Sequence, residues 1–323
     1  MQLIDLGDSG IRISPIGVGC WVMGGDWFGG GPQDDNSVKA IHRALEEGVN
    51  FIDTAELYGD GHSETVVGQA LAGYRRDAAV ISSKVWKSHM RRDEVEPACD
   101  ESMRRMNIDY IDLYFIHYPP ENCSIEETME AMAELKRKGK IRAIGVSNFN
   151  VDQMKRAAEV AKIDVVQPCH SLFWRFAEDT VIRWCRENNI GVVTYSPLAQ
   201  GLLTGKYTSD RIFAEDDMRR QAPLFIGDNY ARALAAVEKL RPFAEKYGCS
   251  LAQLAVAWAI ATPGITSAII GARNERQMSE NLGSVSFTIS CEDWAAIDRI
   301  GRTVTDLMPH YKTFFSTDLE ENL

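Results

Sequence analysis

Short apolar runs rich in β-branched residues recur along this chain, each followed by a stretch in which apolar positions return every three or four residues. The runs fall at 16–19, 50–52, 79–81, 111–116, 141–146, 165–166, 192–194 and 267–270. Each run has strand length, and the stretches between them carry helical periodicity and helix stops, as where residues 36–47 run into Gly48 and residues 124–138 into Gly139. Strands alternating with helices cannot be joined by hairpins, so the pattern predicts a parallel sheet, and eight such repeats predict closure into a (β/α)8 TIM barrel of the α/β class. Ahead of the first repeat, residues 2–6 and 11–13 flank Gly7-Asp8-Ser9-Gly10 and predict an N-terminal β-hairpin. A doubly wound open sheet would need G-x-G-x-x-G in a strand-to-helix turn with an acid further on. Gly29-Gly30-Gly31 is followed by Pro32 and reads as a loop.

No Pro/Ser-rich linker divides the chain, so residues 1–323 read as one domain. The longest irregular stretch, 208–227, exceeds a simple connection and is a candidate lid. The tail, 304–323, carries Met308, Tyr311, Phe314 and Phe315 and is expected near the barrel mouth. Residues 251–272 hold no charge, but Pro263-Gly264 interrupts them, which predicts a buried helix, a turn and a buried strand rather than a membrane span.

Composition is that of an ordinary globular protein, with 45% hydrophobic and 25% charged residues. A net charge of −11 opposes nucleic acid or an anionic membrane as partner and leaves room for a local basic pocket. The seven cysteines form no C-x-x-C pair, and the opening residues show no basic segment before an apolar run. A reducing, cytoplasmic location is therefore expected, with small molecules as partners and the oligomeric state left open.

In a barrel, chemistry gathers on the loops at the C-terminal ends of the strands. Here the apolar runs lead into Asp53-Thr54, Ser82-Ser83-Lys84, His117, Ser147-Asn148, Gln167, Tyr195-Ser196 and Gly271-Ala272-Arg273. Asp53, Lys84 and His117 close the second, third and fourth strands, and Tyr58 lies in the loop after Asp53. A tyrosine, with a reference pKa of about 10, is a poor acid near neutrality, but a lysine ammonium beside it favours the phenolate. Lys84 suits that part, Asp53 can keep Lys84 charged, and His117 can hydrogen-bond a carbonyl oxygen. Each residue alone has a bland structural reading; their coincidence at adjacent strand ends argues for a site.

Residues Asn50-Phe51-Ile52-Asp53-Thr54-Ala55-Glu56-Leu57-Tyr58-Gly59, and Asp109-Tyr110-Ile111-Asp112-Leu113 through His117, closely resemble the signatures of the aldo-keto reductase superfamily. The resemblance covers nearly the whole chain. It is nearest to bacterial reductases of the inositol-operon and general-stress type and to the β-subunits of voltage-gated potassium channels. It implies a catalytic tetrad of Asp53, Tyr58, Lys84 and His117, in which Tyr58 donates a proton while hydride leaves a nicotinamide, with no metal. The histidines show no H-E-x-x-H or other ligand spacing, which agrees. The implied activity is NADP(H)-dependent reduction of aldehydes or ketones. The alternative is a non-catalytic NADP(H)-binding subunit of the channel type; those proteins generally carry asparagine where this chain has His117.

By the same likeness Ser147, Asn148 and Gln167 hold the nicotinamide carboxamide and Tyr195 stacks on its ring, with Cys20, Trp21 and Asp53 also among the cofactor contacts. Ser196, Pro197, Leu198, Gln200, Gly201 and Lys206 belong to a segment with the glycines, hydroxyls and terminal cation of a pyrophosphate belt. Gly271, Arg273, Gln277, Glu280 and Asn281 follow the eighth strand. Arg273 suits a ribose 2′-phosphate or, alternatively, pairs on the surface with Glu275 or Glu280. The better-known pattern has lysine in place of Gly271 and arginine in place of Gln277, so coenzyme class is better defined than coenzyme choice. Trp21, Trp86, His117 and Tyr118 are expected to bound the substrate; Trp27 and Phe28 either join them or cap the core. Cys20 also reads as a small buried hydrophobe.

Overall fold

The structure, a computed structural model, describes residues 1–25, 33–311 and 313–318. Trp27, Phe28 and the glycine run before Pro32 lie outside the described residues. A two-stranded antiparallel hairpin of β1 (Ile4–Asp5) and β2 (Arg12–Ile13) precedes a closed parallel barrel. The barrel strands are β3 (Ile16–Gly19), β4 (Phe51–Asp53), β5 (Val80–Val85), β6 (Ile111–Ile116), β7 (Ile141–Ser147), β8 (Val165–Gln167), β9 (Gly191–Thr194) and β10 (Ser267–Gly271). Each pairs with the next in sequence, and β10 closes on β3 with Ile270 opposite Val18. All eight expected strands are present.

Several strands run further than the apolar pattern predicts: β4 takes in Asp53, β5 Ser82 to Val85, β7 Ser147 and β8 Gln167. A hydrophobicity rule ends a strand at its first polar residue, but these polar side chains belong to the ladder: Ser82, Lys84 and Gln167 meet Asp53 at the barrel mouth, while Ser83 donates on the other face of β5 to Glu64. The hairpin is shorter than expected, because Leu6 and Ile11 leave the ribbon to be buried with Ile13 in the barrel interior beside Phe51, Leu113 and Phe115. The hairpin thus plugs the N-terminal end. Glycines accommodate the two rings: a Cβ on Gly17 would lie 2.4 Å from Phe51, and one on Gly145 2.3 Å from Phe115.

The surrounding helices are α1 (Asp34–Glu46), α2 (His62–Leu71), α3 (Arg92–Met106), α4 (Ile125–Arg137), α5 (Val151–Val160), α6 (Arg183–Glu187), α7 (Gly227–Lys246), α8 (Leu251–Ala261), α9 (Glu275–Leu282) and α10 (Cys291–Thr305). Their ends follow from local chemistry. Ser124 accepts from the Glu127 amide at the start of α4, and reciprocal capping boxes join Asn150 to Gln153 and Ser250 to Gln253. Each such cap contributes about 1 kcal/mol. The uncharged 251–272 stretch is helix α8, a turn containing the left-handed Gly264, and strand β10, as the Pro-Gly break predicts. Among the described residues no helix is long and apolar enough to cross a membrane.

The 208–227 stretch is seated over its second half, where Ala222 to Phe225 are buried, whereas most of 208–216 is exposed. It contains short 3-10 turns at Met218–Arg220 and Pro223–Phe225, buries Leu224 and Phe225, and holds Arg219, which pairs with Asp217 inside the stretch and donates to the Tyr207 hydroxyl outside it. In the tail, Tyr311 stacks on Trp174 and Phe314 meets the same indole edge-on, which carries Phe315 over the barrel mouth.

Candidate active site

The C-terminal ends of the strands open into a cleft of about 680 Å³, within the range of small-molecule and cofactor sites. β4 and β5 lie side by side with Asp53 opposite Ser82, and so bring Asp53 and Lys84 to one point of the mouth. Lys84 is fully buried. Its Nζ lies 2.7 Å from Asp53 Oδ2, 2.8 Å from the Thr54 carbonyl oxygen and 3.1 Å from Tyr58 Oη. An ammonium has three hydrogens and accepts nothing, so this environment is complete. Asp53 is held in turn by Ser82 Oγ at 2.7 Å and Gln167 Nε2 at 2.9 Å, both donating to Oδ1.

Tyr58 is partly exposed to the cleft, and Lys84 lies beneath it, off the cleft wall. Burial, with the Asp53 carboxylate and the Cys20 thiol adding to it, pushes the Tyr58 phenol well above its usual value. This corrects the expectation that Lys84 would lower it. The lysine charge is matched at 2.7 Å by Asp53, so the phenol faces a nearly neutral pair rather than a bare cation. The resting phenol therefore holds its hydrogen. Burial also lowers the Lys84 ammonium, against the pull of Asp53.

His117 is buried, and desolvation followed by the Lys84 charge holds its imidazole well below the usual histidine range, so the ring is neutral near pH 7. Its Nδ1 is buried without a hydrogen-bond partner, so the tautomer with hydrogen on Nε2 is the one able to donate into the cleft. The ring meets Tyr58 at 5.7 Å and Trp86 at 5.1 Å between centroids, both edge-on, and Tyr118 at 5.6 Å. Trp21, Trp86 and Tyr118 line the cleft as expected, and Trp21 meets Phe315 at 5.4 Å.

On the opposite wall Ser147, Asn148, Gln167 and Tyr195 are linked. Tyr195 donates to Asn148 Oδ1 at 2.8 Å, Asn148 Nδ2 donates to the His117 carbonyl at 3.0 Å, and Ser147 Oγ donates to the Gln167 carbonyl at 2.8 Å. Beyond Tyr195 the backbone is left-handed at Ser196, Ala199, Gln200 and Gly201, and both polar atoms of the Gln200 side chain are buried without a partner. Ser196, Pro197, Leu198, Gln200, Gly201 and Lys206 all face the cleft, as do Gly271, Arg273, Gln277, Glu280 and Asn281 across from them. Turned amides, an unpaired amide side chain and cations at both edges fit an elongated anionic ligand such as a dinucleotide. Gln277 accepts from the Arg273 amide and Asn281 donates to the Gly271 carbonyl, which fixes this edge.

Cys20 departs from expectation: it is fully buried, does not line the cleft, and has its thiol pushed well above the usual range by burial. Sequence reasoning did not assign Tyr207, Arg211, Met218 or Arg219 to the site, yet all line the cleft, and Phe315 of the tail joins them at the mouth, where the tail is expected. The length of the 208–227 stretch and the aromatic tail were the only signals available. Among the described residues no group of three or more His, Cys, Asp or Glu side chains is arranged to hold a metal ion, and all seven thiols are free.

A closed parallel barrel with an ammonium-backed phenol at its mouth and a groove of turned amides and cations beside it has the architecture of a (β/α)8 oxidoreductase. The chain belongs to the Aldo/keto reductase family, whose model matches residues 15–302. It is 38% identical over 317 residues to the aldo-keto reductase YhdN of Bacillus subtilis, covering 95% of this chain and 96% of that protein. It is 32% identical to the NADH-specific methylglyoxal reductase of Escherichia coli, covering 91% and 96%, and 34% identical to a probable voltage-gated potassium channel subunit beta of Arabidopsis thaliana, covering 88% and 91%. Among solved structures, a glycerol dehydrogenase from Gluconobacter oxydans aligns with a TM-score of 0.85 at 33% identity, covering 99% and 98%. An aldo/keto reductase from Klebsiella pneumoniae in complex with NADP and acetate aligns with a TM-score of 0.75 at 30% identity, covering 91% and 93%.

Proposed function

We propose that the protein is an NADP(H)-dependent carbonyl reductase that converts aldehydes or ketones to alcohols, with Tyr58 as the general acid. The observation that carries this reading is the use of the Lys84 hydrogens on Asp53, Thr54 and Tyr58. Because the ammonium can only donate to Tyr58 Oη, the phenolic hydrogen is left for an acceptor in the cleft, where a carbonyl oxygen would sit. A nicotinamide coenzyme held in this groove would supply hydride to the carbonyl carbon. Tyr58 releases its hydrogen to the oxygen as negative charge grows there, and Lys84, 3.1 Å away, stabilises the phenolate left behind. Neutral His117 orients the same oxygen by donating from Nε2. Tyr195, Asn148, Ser147 and Gln167 form a wall with the polarity and aromatic face to seat a nicotinamide ring.

Arg273 at the groove edge supports NADP(H), as does likeness to a reductase solved with NADP; likeness to an NADH-specific reductase leaves the adenosine end as the point to test. One barrel domain over residues 1–323 and a reducing, cytoplasmic location complete the reading, and seven free thiols support the location. The channel-subunit likeness favours a second reading, a non-catalytic NADP(H)-binding subunit, but the presence of His117 with the other three groups supports catalysis.

The deciding experiment titrates NADPH and NADH against tryptophan fluorescence, then follows NADPH oxidation over a panel of aldehydes and ketones. Tyr58→Phe is expected to bind coenzyme as the wild type does and to lose turnover by a factor of about 10² to 10⁴. Tight coenzyme binding with no oxidation of NADPH by any carbonyl compound would favour the binding subunit; equal turnover by Tyr58→Phe would remove Tyr58 from the acid's role.

A further inference from the structure

Glu56 has no part in the chemistry described so far, yet it is an acidic side chain only 8% exposed, set behind Leu57, Tyr58 and Trp86, which line the cleft. It stands two residues before Tyr58, on the loop that follows β4. Its carboxylate reaches across to the turn after β5. Oε1 accepts a hydrogen bond from the Trp86 amide, and His89 Nδ1 lies 3.2 Å from both carboxylate oxygens. The Glu56 amide donates to the Lys84 carbonyl at 3.4 Å, so the contact is anchored at its own backbone as well.

The turn it holds is the one that presents the Trp86 indole. That ring stands edge-on to His117 at 5.1 Å and to Tyr118 at 5.6 Å, with interplanar angles of 74° and 86°. An indole so placed gives the cleft a flat apolar wall beside the point where Tyr58 and His117 meet. The Trp86 amide is held by Glu56 and its carbonyl accepts from the His89 amide at 2.9 Å, which opens a three-residue 3-10 turn, Lys87–His89, without a side-chain cap. Burial pushes the Glu56 carboxyl up, opposed by the hydrogen bonds from Trp86 and His89, so the group is kept in an apolar site by these two contacts.

We infer that Glu56 is a specificity-determining positioning residue: by clasping the Trp86 amide and the His89 ring it fixes the distance between the Tyr58 loop and the Trp86 wall, and so selects flat aromatic carbonyl compounds over short aliphatic ones. The inference rests on the carbonyl-reductase reading for its kinetic consequence. Its structural half, that Glu56 immobilises Trp86, stands without it. An aromatic substrate gains most from a wall already in place, because its whole ring can pack on the indole and no side chain has to be ordered when it binds; a short aliphatic aldehyde covers little of the indole and gains less.

The test compares Glu56→Ala, Glu56→Gln and His89→Ala with the wild type, using 4-nitrobenzaldehyde and propanal as substrates with NADPH. Glu56→Ala is expected to raise KM for the aromatic aldehyde about tenfold with kcat within about twofold, and to leave KM for propanal within about twofold. Glu56→Gln keeps an acceptor for the Trp86 amide and should restore most of the loss. His89→Ala, at a half-exposed side chain that does not threaten folding, should raise the aromatic KM about threefold. In parallel, acrylamide quenching of the Trp86 signal, taken as the difference between each protein and its Trp86→Phe counterpart, should increase in Glu56→Ala and return towards the wild-type level in Glu56→Gln. Equal KM changes for both aldehydes, a fall in kcat at constant KM, or Trp86 quenching indifferent to Glu56 would overturn the inference. If no carbonyl compound is turned over at all, the reductase reading fails, and the quenching series alone decides the role of Glu56.

Discussion

Lys84 Nζ and Asp53 Oδ2 form an ion pair of 2.7 Å with the lysine side chain fully buried and the aspartate 4% exposed. Two charges removed from water in this way are tolerated because both carboxylate oxygens and all three ammonium hydrogens have partners: Ser82 and Gln167 donate to Oδ1 and Lys84 to Oδ2, while Thr54 and Tyr58 take the other two hydrogens.

Removing one member of that pair leaves the other uncompensated. Lys84→Met is expected to destabilise the fold by about 3 to 5 kcal/mol and to abolish turnover, whereas the double variant Asp53→Asn/Lys84→Met should cost much less than the two single changes added. Urea denaturation of all four proteins measures the coupling. Additive losses would show that the pair is not the unit it is taken to be.

Backbone packing sets where Tyr58 stands. Gly59 has φ of 62°, and a Cβ there would fall 1.5 Å from the Gly24 carbonyl oxygen; a Cβ on Gly24 would fall 2.5 Å from the Tyr58 carbonyl. The two glycines let the tyrosine loop lie against the turn after β3. Gly59→Ala should therefore move Tyr58 off Lys84, lowering kcat by about two orders of magnitude or more while coenzyme affinity changes little. Steady-state kinetics beside a coenzyme titration separates these effects.

Acid should weaken the folded state through His117. Its imidazole is held neutral in the fold by burial and by Lys84, whereas the unfolded side chain takes up a proton below about pH 6.5. The unfolded state then binds more protons, so stability is lost as pH falls below that value, by up to about 2 kcal/mol between about pH 6.5 and pH 5. His170, buried and likewise lowered by desolvation, adds in the same direction. The urea midpoint of His117→Gln should fall less between about pH 7 and pH 5 than that of the wild type; parallel curves would refute the assignment.

Coenzyme choice should be read at the adenosine end. Arg273 lines the groove with its amide bonded to Gln277 Oε1 at 2.8 Å. If the guanidinium meets a 2′-phosphate, Arg273→Ala will weaken NADPH binding by about 10- to 100-fold and leave NADH binding nearly unchanged. Fluorescence titration with both coenzymes gives the ratio directly, and an equal effect on the two would place Arg273 elsewhere.

Much of this molecule was legible in order of residues alone. A repeating alternation of strand and helix periods has one economical closure, so the barrel followed from the spacing of apolar runs, and chemistry could be sought only where those runs met Asp53, Lys84, His117, Ser147, Gln167 and Tyr195. Helix ends at Ser124, Asn150 and Ser250 were written locally, because a cap concerns only residues three positions apart. What the chain order could not supply were quantities set by neighbours distant in sequence. The Tyr58 phenol is raised rather than lowered because it is buried and the Asp53 carboxylate adds to that effect, an environment that exists only after β4 and β5 pair. Cys20 is turned away from the cleft, Phe315 and Arg219 are brought into it, and Glu56 is laid against Trp86 for the same reason. Burial and electrostatic cancellation depend on three-dimensional distance, and periodicity along the chain carries no information about that.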